Sequence, residues 1–379
     1  MPDMTIAPGL AGIPVATSSI SYIDGNEGIL EYRGYRIETL AERSTFEEVC
    51  WLLLTGEMPN EVQLAGFSSH LARHRQLPDR LVKMIEVLPG KGHPMDALQA
   101  GLAALGMFNK PPDFRDPNEV DEACVKILAS TPMIVANFER LRTGKDLVPP
   151  DPELGTAANF LWMITGVKPD ELAARVFDIA LILHADHELN ASTFTARVVA
   201  STEANPYTVC SSAIGALTGP LHGGANEEVL DQLEDIGAPA NVTKWLEAKL
   251  SAKAKVMGFG HRVYKVKDPR ATILQELARQ VFERLGSTPL YDTALELERQ
   301  MKERVGHRGI YPNVDFYSGI VYAKLGIPAD LFTPVFGIAR VAGYLAHWRE
   351  QMQDNKLYRP SQVYSGLHEL PYPELAARA

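Results

Sequence analysis

Four short stretches of the chain set ionisable side chains among turn-forming residues, and each could do chemistry. In Gly219-Pro220-Leu221-His222-Gly223-Gly224-Ala225-Asn226, the glycines around His222 let a backbone approach a ligand closely. A helix should open directly afterwards, with Glu227 and Glu228 in its first turn. The positive end of a helix disfavours imidazolium. A neutral imidazole can donate a hydrogen bond to a carbonyl and stabilise an enolate. The same histidine could equally do no more than cap the helix. In Gly258-Phe259-Gly260-His261-Arg262-Val263-Tyr264-Lys265-Val266-Lys267-Asp268-Pro269-Arg270, Asp268 suits an N-cap, Pro269 the first helical position and Arg270 the first turn. An arginine in that positively poled turn is unfavourable unless an anion meets it, a local conflict that hints at function. His261 could polarise a second carbonyl, and Arg262, Lys265 and Lys267 could meet phosphates. An exposed basic loop would account for them as well.

The third stretch is Tyr311-Pro312-Asn313-Val314-Asp315-Phe316-Tyr317-Ser318-Gly319. Its apolar neighbours could desolvate Asp315 and raise its pKa, making it a base; a plain helix N-cap is the alternative. The fourth, His184-Ala185-Asp186-His187-Glu188-Leu189-Asn190, spaces two histidines i, i+3, which would set both rings on one helix face. No third ligand has a familiar spacing and the His-Glu-x-x-His pattern is absent, so no metal site is expected. Near the end, Arg340 and Arg359 could each grip a carboxylate in a bidentate fashion or form a surface ion pair.

The elements that must position these groups are mainly helical. Ser18 to Tyr35 reads as a small hairpin, with strand character at Ile20, Tyr22, Leu30 and Tyr32 and a turn at Asp24-Gly25-Asn26. Ser44 and Glu47 form a capping box that opens a helix with Phe46, Val49, Cys50 and Leu53 on one face, closed by Gly56. Helical periodicity recurs near 60–74, 94–108, 118–143, 170–185, 226–235, 270–285, 290–304, 314–325 and 334–353. Loops are expected near 144–155 and 286–289. Alternating βα units are missing, which excludes a parallel-sheet α/β fold.

The 379 residues suffice for more than one domain, and 46% apolar with 22% charged residues is ordinary for a globular chain. No apolar run approaches the roughly 20 residues that span a bilayer. Arg33 is the first basic residue, so neither a secretory signal nor a transit peptide is expected. Cys50, Cys124 and Cys210 are far apart, which fits reduced thiols in a cytoplasmic protein. A net charge of −10 argues against a general nucleic-acid binder. The charge is uneven, however. Residues 253–308 hold twelve Lys or Arg against seven Asp or Glu, a basic island that could be a solvated face or a landing site for a small polyanion.

Taken together and in this order, the stretches resemble the citrate synthase family, from the N-terminal hairpin through Arg359. The most specific pieces are GPLHGGAN at 219–226, MGFGHRVYKVKDPR at 257–270 and YPNVDFYSG at 311–319. Animal members read His-Glu-Gly-Gly-Asn where this chain has the shorter His187-Glu188-Leu189-Asn190, and the HRVYK wording looks like the bacterial and archaeal branch. The resemblance implies a mainly α fold. A large helical domain (1–221 and 318–379) would carry a smaller helical domain (222–317) on the CoA-binding side. It implies condensation of acetyl-CoA with oxaloacetate, then citryl-CoA hydrolysis, the first step of the tricarboxylic acid cycle. The catalytic groups would be His222, His261 and Asp315, with no metal or cofactor. His187, Arg270, Arg340 and Arg359 would hold oxaloacetate, the last reaching across a homodimer. Lys255, Arg262, Lys265 and Lys267 are the expected partners of the CoA phosphates. The glycine turns beside the basic island suit a hinge that closes over substrate. A 2-methylcitrate synthase using propionyl-CoA would share all these motifs, since one methylene is worth only about 1–3 kcal/mol in an apolar pocket. A non-catalytic helical assembly protein should have lost the ionisable residues that this chain keeps.

Overall fold

The computed structural model describes residues 6–10 and 12–378. Strand β1 (Ser21–Asp24) pairs antiparallel with β2 (Ile29–Tyr32), Ser21 lying opposite Tyr32. Asp24 holds the turn, its Oδ1 accepting from the amides of Asn26 and Glu27 at 2.9 and 3.0 Å. A third short strand, β3 (Tyr35–Arg36), pairs with β2, so the expected hairpin is a three-stranded meander. Ile20, Leu30 and Tyr32 are buried and anchor it to the helices.

The rest is helical. The N-terminal helices are α1 (Ile37–Arg43), α2 (Phe46–Thr55), α3 (Glu61–Arg73), α4 (Asp79–Glu86), α5 (Pro94–Leu105) and α6 (Pro117–Arg142). Then come α7 (Thr156–Thr165), α8 (Glu171–His184), α9 (Ala191–Ala200) and α10 (Pro206–Leu217). The basic island and its surroundings form α11 (Ala225–Ile236), α12 (Val242–Ser251), α13 (Pro269–Leu285), α14 (Pro289–Val305) and α15 (Val314–Lys324). The last helix, α16 (Phe332–Gln353), packs against α2, α5, α6, α8, α9, α10 and α11 and forms the axis of the core. Among the described residues no helix is long and apolar enough to cross a membrane. All three cysteines are free and buried.

Two local expectations need correction. The capping box lies one residue later than expected. Thr45 caps α2, its side chain accepting from the Glu48 amide while its own amide donates to Glu48 Oε2 at 2.8 Å. Ser44 is already occupied in closing α1, its amide donating to Leu40 O. Glu47 is thereby freed to accept from the Thr156 amide at 2.6 Å, tying α2 to the start of α7. The expected helices also passed over α1, α4, α7, α9, α10 and α12, although α4 carries a clear apolar stripe at Leu81 and Ile85. For α10 the cause is its position between α5, α9 and α16, where a helix covered on most sides lacks a polar stripe. For α9 it is the β-branched content at Thr193, Thr195, Val198 and Val199, which lowers intrinsic helix propensity.

Candidate active site

His222 sits in the turn between α10 and α11, its amide donating to Gly219 O at 2.9 Å. Its ring leans on the start of α9. The Ser192 amide donates to Nε2 at 3.3 Å, and Ser192 Oγ lies 2.7 Å from the same nitrogen. Tyr344 OH donates to Ser192 Oγ at 2.7 Å and so extends the chain into α16. The Ser192 amide can only donate, which favours an accepting Nε2 and a ring proton on Nδ1, while Asn190 Oδ1, 3.1 Å from the same nitrogen, competes as an acceptor. Burial, reinforced by the Arg340 guanidinium, pushes the His222 pKa down to about 4. The ring is therefore neutral at pH 7, as the sequence led one to expect, but burial is the principal cause.

His261 has the opposite arrangement. The amides of Val263 and Tyr264 both donate to its Nδ1, at 3.0 and 3.2 Å, so the proton of the neutral ring is on Nε2. Burial first and Arg270 second push this pKa down to about 4 as well. The loop that carries His261 is stitched to the one that carries Asp315. Gly260 N donates to Tyr311 O at 2.8 Å, Asn313 N to Gly258 O at 2.9 Å, and Asn313 Nδ2 to Gly260 O at 3.0 Å. Gly258 makes the stitch possible: its φ is +78°, and a Cβ there would lie 2.8 Å from Phe316 and Val229.

Asp315 is not the helix cap. Asn313 caps α15, accepting from the Asp315 amide at 3.0 Å, which leaves the aspartate side chain free for other work. Its Oδ1 is sealed from solvent without a hydrogen-bond partner. Burial raises its pKa to about 6, against weaker opposition from Arg270. An unpartnered carboxylate with a pKa near the working pH is suited to taking a proton.

His184 and His187 do not share a helix face. Helix α8 ends at His184, and His187 lies in the turn that follows. His184 Nδ1 is 2.7 Å from Ala180 O, within its own helix. His187 is turned instead toward His261 and Tyr264, with ring centroids 5.4 and 5.7 Å away. Its buried Nε2 has no protein partner, and burial together with Arg270 holds its pKa well below the usual range. Arg270 is buried at the start of α13, and Asp268 grips it with contacts of 3.1 and 2.8 Å. Asp268 is thus the anion that the awkward arginine required. Arg340 is buried in α16 over the Phe336 ring, its Nε donating to His184 O at 2.7 Å. Its terminal nitrogens make no hydrogen bond to the described residues. An unpaired imidazole and two buried guanidinium groups make a receptacle for a small dicarboxylate.

The turn carrying His187 is clamped from both sides. Ser21 Oγ donates to Asp186 Oδ2 at 2.5 Å, and Tyr32 OH donates to Asp186 O at 2.9 Å. From α16, His347 Nε2 reaches Asp186 Oδ1 at 3.4 Å, and Gly343 N donates to Ala185 O at 3.1 Å. A Cβ on Gly343 would lie 2.4 Å from Asp186 Oδ1 and 2.6 Å from Ala185 O. Gly343→Ala should therefore push the turn outward, costing about 1–3 kcal/mol of stability, as overpacking does, and raising KM for the dicarboxylate. Urea midpoints and KM both unchanged would show that the clamp does not hold His187.

His222, His261 and Asp315 line one open cleft of about 560 Å³, together with Lys255, Arg262 and Arg308. Lys265 and Lys267 do not line it. Lys267 is committed elsewhere, 2.5 Å from Gln275 Oε1 and 3.3 Å from Glu298 Oε1. Arg359 is exposed beyond α16 and makes no hydrogen bond or ion pair with the described residues. A separate cavity of about 430 Å³, lined by Arg75, Lys83, Asn137 and neighbours, holds none of the site residues. Sequence reasoning missed Ser192, Tyr264, Asp186 and Arg308. Tyr264 and Asp186 lay inside the stretches singled out around His261 and His187, and Arg308 lay in the basic island; Ser192 had no signal.

Comparison with known proteins places the chain. A family model described as citrate synthase, C-terminal domain, matches residues 9–361. A citrate synthase of Synechocystis is 54% identical over 98% of this chain and 93% of its own. One from Acidithiobacillus ferridurans is 46% identical over the full length of both. Among solved structures, citrate synthase from Pyrobaculum aerophilum superposes with a TM-score of 0.93 at 41% identity, covering 98% of this chain and 95% of that one. The Thermoplasma acidophilum enzyme, in a ternary complex with carboxymethyl coenzyme A and oxaloacetate, gives 0.94 at 33% identity, covering 99% of this chain and all of that one.

Proposed function

The chain belongs to the citrate synthase family and condenses acetyl-CoA with oxaloacetate to citrate, and we propose that Asp315, His222 and His261 carry the reaction in the cleft they share. Asp315 removes a proton from the acetyl methyl group. His222 Nδ1–H donates to the thioester oxygen as the enol or enolate forms. The methyl carbon then attacks the ketone carbon of oxaloacetate. The ketone oxygen gains the electron pair of the broken π bond and takes a proton from His261 Nε2. Citryl-CoA results, and water cleaves its thioester to citrate and CoA. His187, Arg270 and Arg340 hold the dicarboxylate for attack. These steps are proton transfers and acyl chemistry that side chains and substrates supply, so no metal or redox cofactor is invoked.

The observation that carries this reading is a pair of neutral imidazoles, His222 and His261, lining one cleft with the buried carboxylate of Asp315. Nitrogen NMR of the histidine side chains tests it. The expected spectrum at pH 7 shows His222 protonated at Nδ1 and His261 at Nε2. Either ring in the other tautomer, or as imidazolium, would sink the assignment.

We further propose a cytoplasmic homodimer in which the segment from residue 222 to one end of α15 moves against the remainder as a smaller domain, with Lys255, Arg262 and Arg308 meeting the CoA phosphates. A continuous helix cannot hinge between 317 and 318, so that side of the hinge lies at one end of α15. Arg270 and His261 belong to one body, His187 and Arg340 to the other. Oxaloacetate touching both should draw them together and tighten acetyl-CoA binding, with the reverse effect by linkage. Calorimetry giving a CoA thioester analogue the same Kd with and without oxaloacetate would rule out this coupling.

A further inference from the structure

On the surface of the N-terminal half, two histidines of one helix meet a glutamate of another. His70 lies in the last turn of α3 and His74, four residues on, is its C-cap; the two rings sit side by side with centroids 5.1 Å apart. Both Nε2 atoms converge on Glu122 of α6: His70 Nε2 lies 2.8 Å from Oε2, and His74 Nε2 lies 3.2 Å from Oε1. The three ligand atoms all fall within 4.8 Å of one another. Zinc holds nitrogen and oxygen ligands at about 2.0–2.2 Å, so tetrahedral neighbours stand roughly 3.3 Å apart, near the two nitrogen–oxygen separations of 2.8 and 3.2 Å. The side chains are 30, 26 and 39% exposed, which gives an ion access and leaves room for water as a fourth ligand. One competitor is present. Lys126 Nζ sits 3.1 Å from Glu122 Oε1 and already neutralises part of the carboxylate charge.

We propose that His70, His74 and Glu122 bind a divalent transition-metal ion of the zinc class, which staples α3 to α6. Glu122 stands 52 residues from His70, which is why no sequence motif announces the site. The site uses none of the residues assigned to citrate formation. Burial lowers the His74 pKa, which favours the neutral ring that a metal requires.

The test is calorimetric titration of zinc chloride into the full-length protein after EDTA treatment. One ion per chain should bind to the wild type and raise its Tm. His70→Ala and His74→Ala should each weaken binding by on the order of tenfold or more, since loss of even outer-shell partners costs 10–100-fold. Lys126→Ala should tighten it by removing the competing charge. Citrate formation should be unchanged in all three variants. Zinc that fails to bind, or that binds equally well to both histidine variants, overturns the proposal.

Discussion

Asp315→Ala should lower turnover by about 10²–10⁴-fold, the usual contribution of a general base. The expectation rests on a carboxylate whose Oδ1 is buried and unpartnered and whose pKa burial raises to about 6. The base works when ionised. Activity in the wild type should therefore be level above pH 6 and fall roughly tenfold per unit well below it, the acid limb of a general-base profile. The stability sign runs the other way. A folded pKa of about 6 against an ordinary 3.8 means that the folded state prefers the protonated acid. That preference stabilises fully below pH 3.8 and is lost as pH rises through 6. Asp315→Asn, which keeps the shape without the charge, should thus unfold at higher denaturant than the wild type at pH 8 while remaining inactive. CoA thiol release measures the first effect and urea unfolding the second. A variant with near-normal turnover defeats the assignment. A variant that is inactive only because it unfolds would reduce Asp315 to a structural residue.

Arg359→Ala should weaken oxaloacetate binding by about 1.5–3 kcal/mol, the range for a hydrogen bond to a charged group, or roughly 10–150-fold. In the isolated chain this arginine is exposed beyond α16, away from any acceptor among the described residues. Arg270 is already held by Asp268, so a dicarboxylate gains from a further cation that is not neutralised in advance. A second copy of the chain can supply it from a terminal segment without deep insertion. Mixing subunits separates this from service in the same chain. Arg359→Ala and Asp315→Ala homodimers should both be poor below the KM for oxaloacetate. If Arg359 acts across the interface, each mixed dimer has one site with both lesions and one with neither. About half of the normal activity per dimer should return, as arithmetic on independent sites requires. If it serves its own chain, every site keeps one lesion and nothing returns. Native mass spectrometry confirms that mixed dimers have formed.

The sequence by itself determined the chemistry on offer and most of the scaffold. Asp268, Pro269 and Arg270 occupy the N-cap, first position and first turn of α13 that their types demand, because capping is a local interaction over a few residues. The long amphipathic helices were legible for the same reason. His222, His261 and Asp315, the groups proposed to carry the reaction, stood out because glycine and proline turns frame them. What only the tertiary structure decided is how each group is tuned. His187 looked like the helix neighbour of His184 until the end of α8 turned it toward His261. Lys267 looked free to meet a phosphate until α13 and α14 brought Gln275 and Glu298 to it. The tautomers of His222 and His261 depend on amides of Ser192, Val263 and Tyr264, whose aim is a property of folded backbone that no side-chain pattern encodes. The downward shifts of both rings and the upward shift of Asp315 come chiefly from burial, which exists only once distant segments have packed together. Residue type and spacing named the acid–base groups; packing set their protonation, because desolvation is a long-range product of the whole fold.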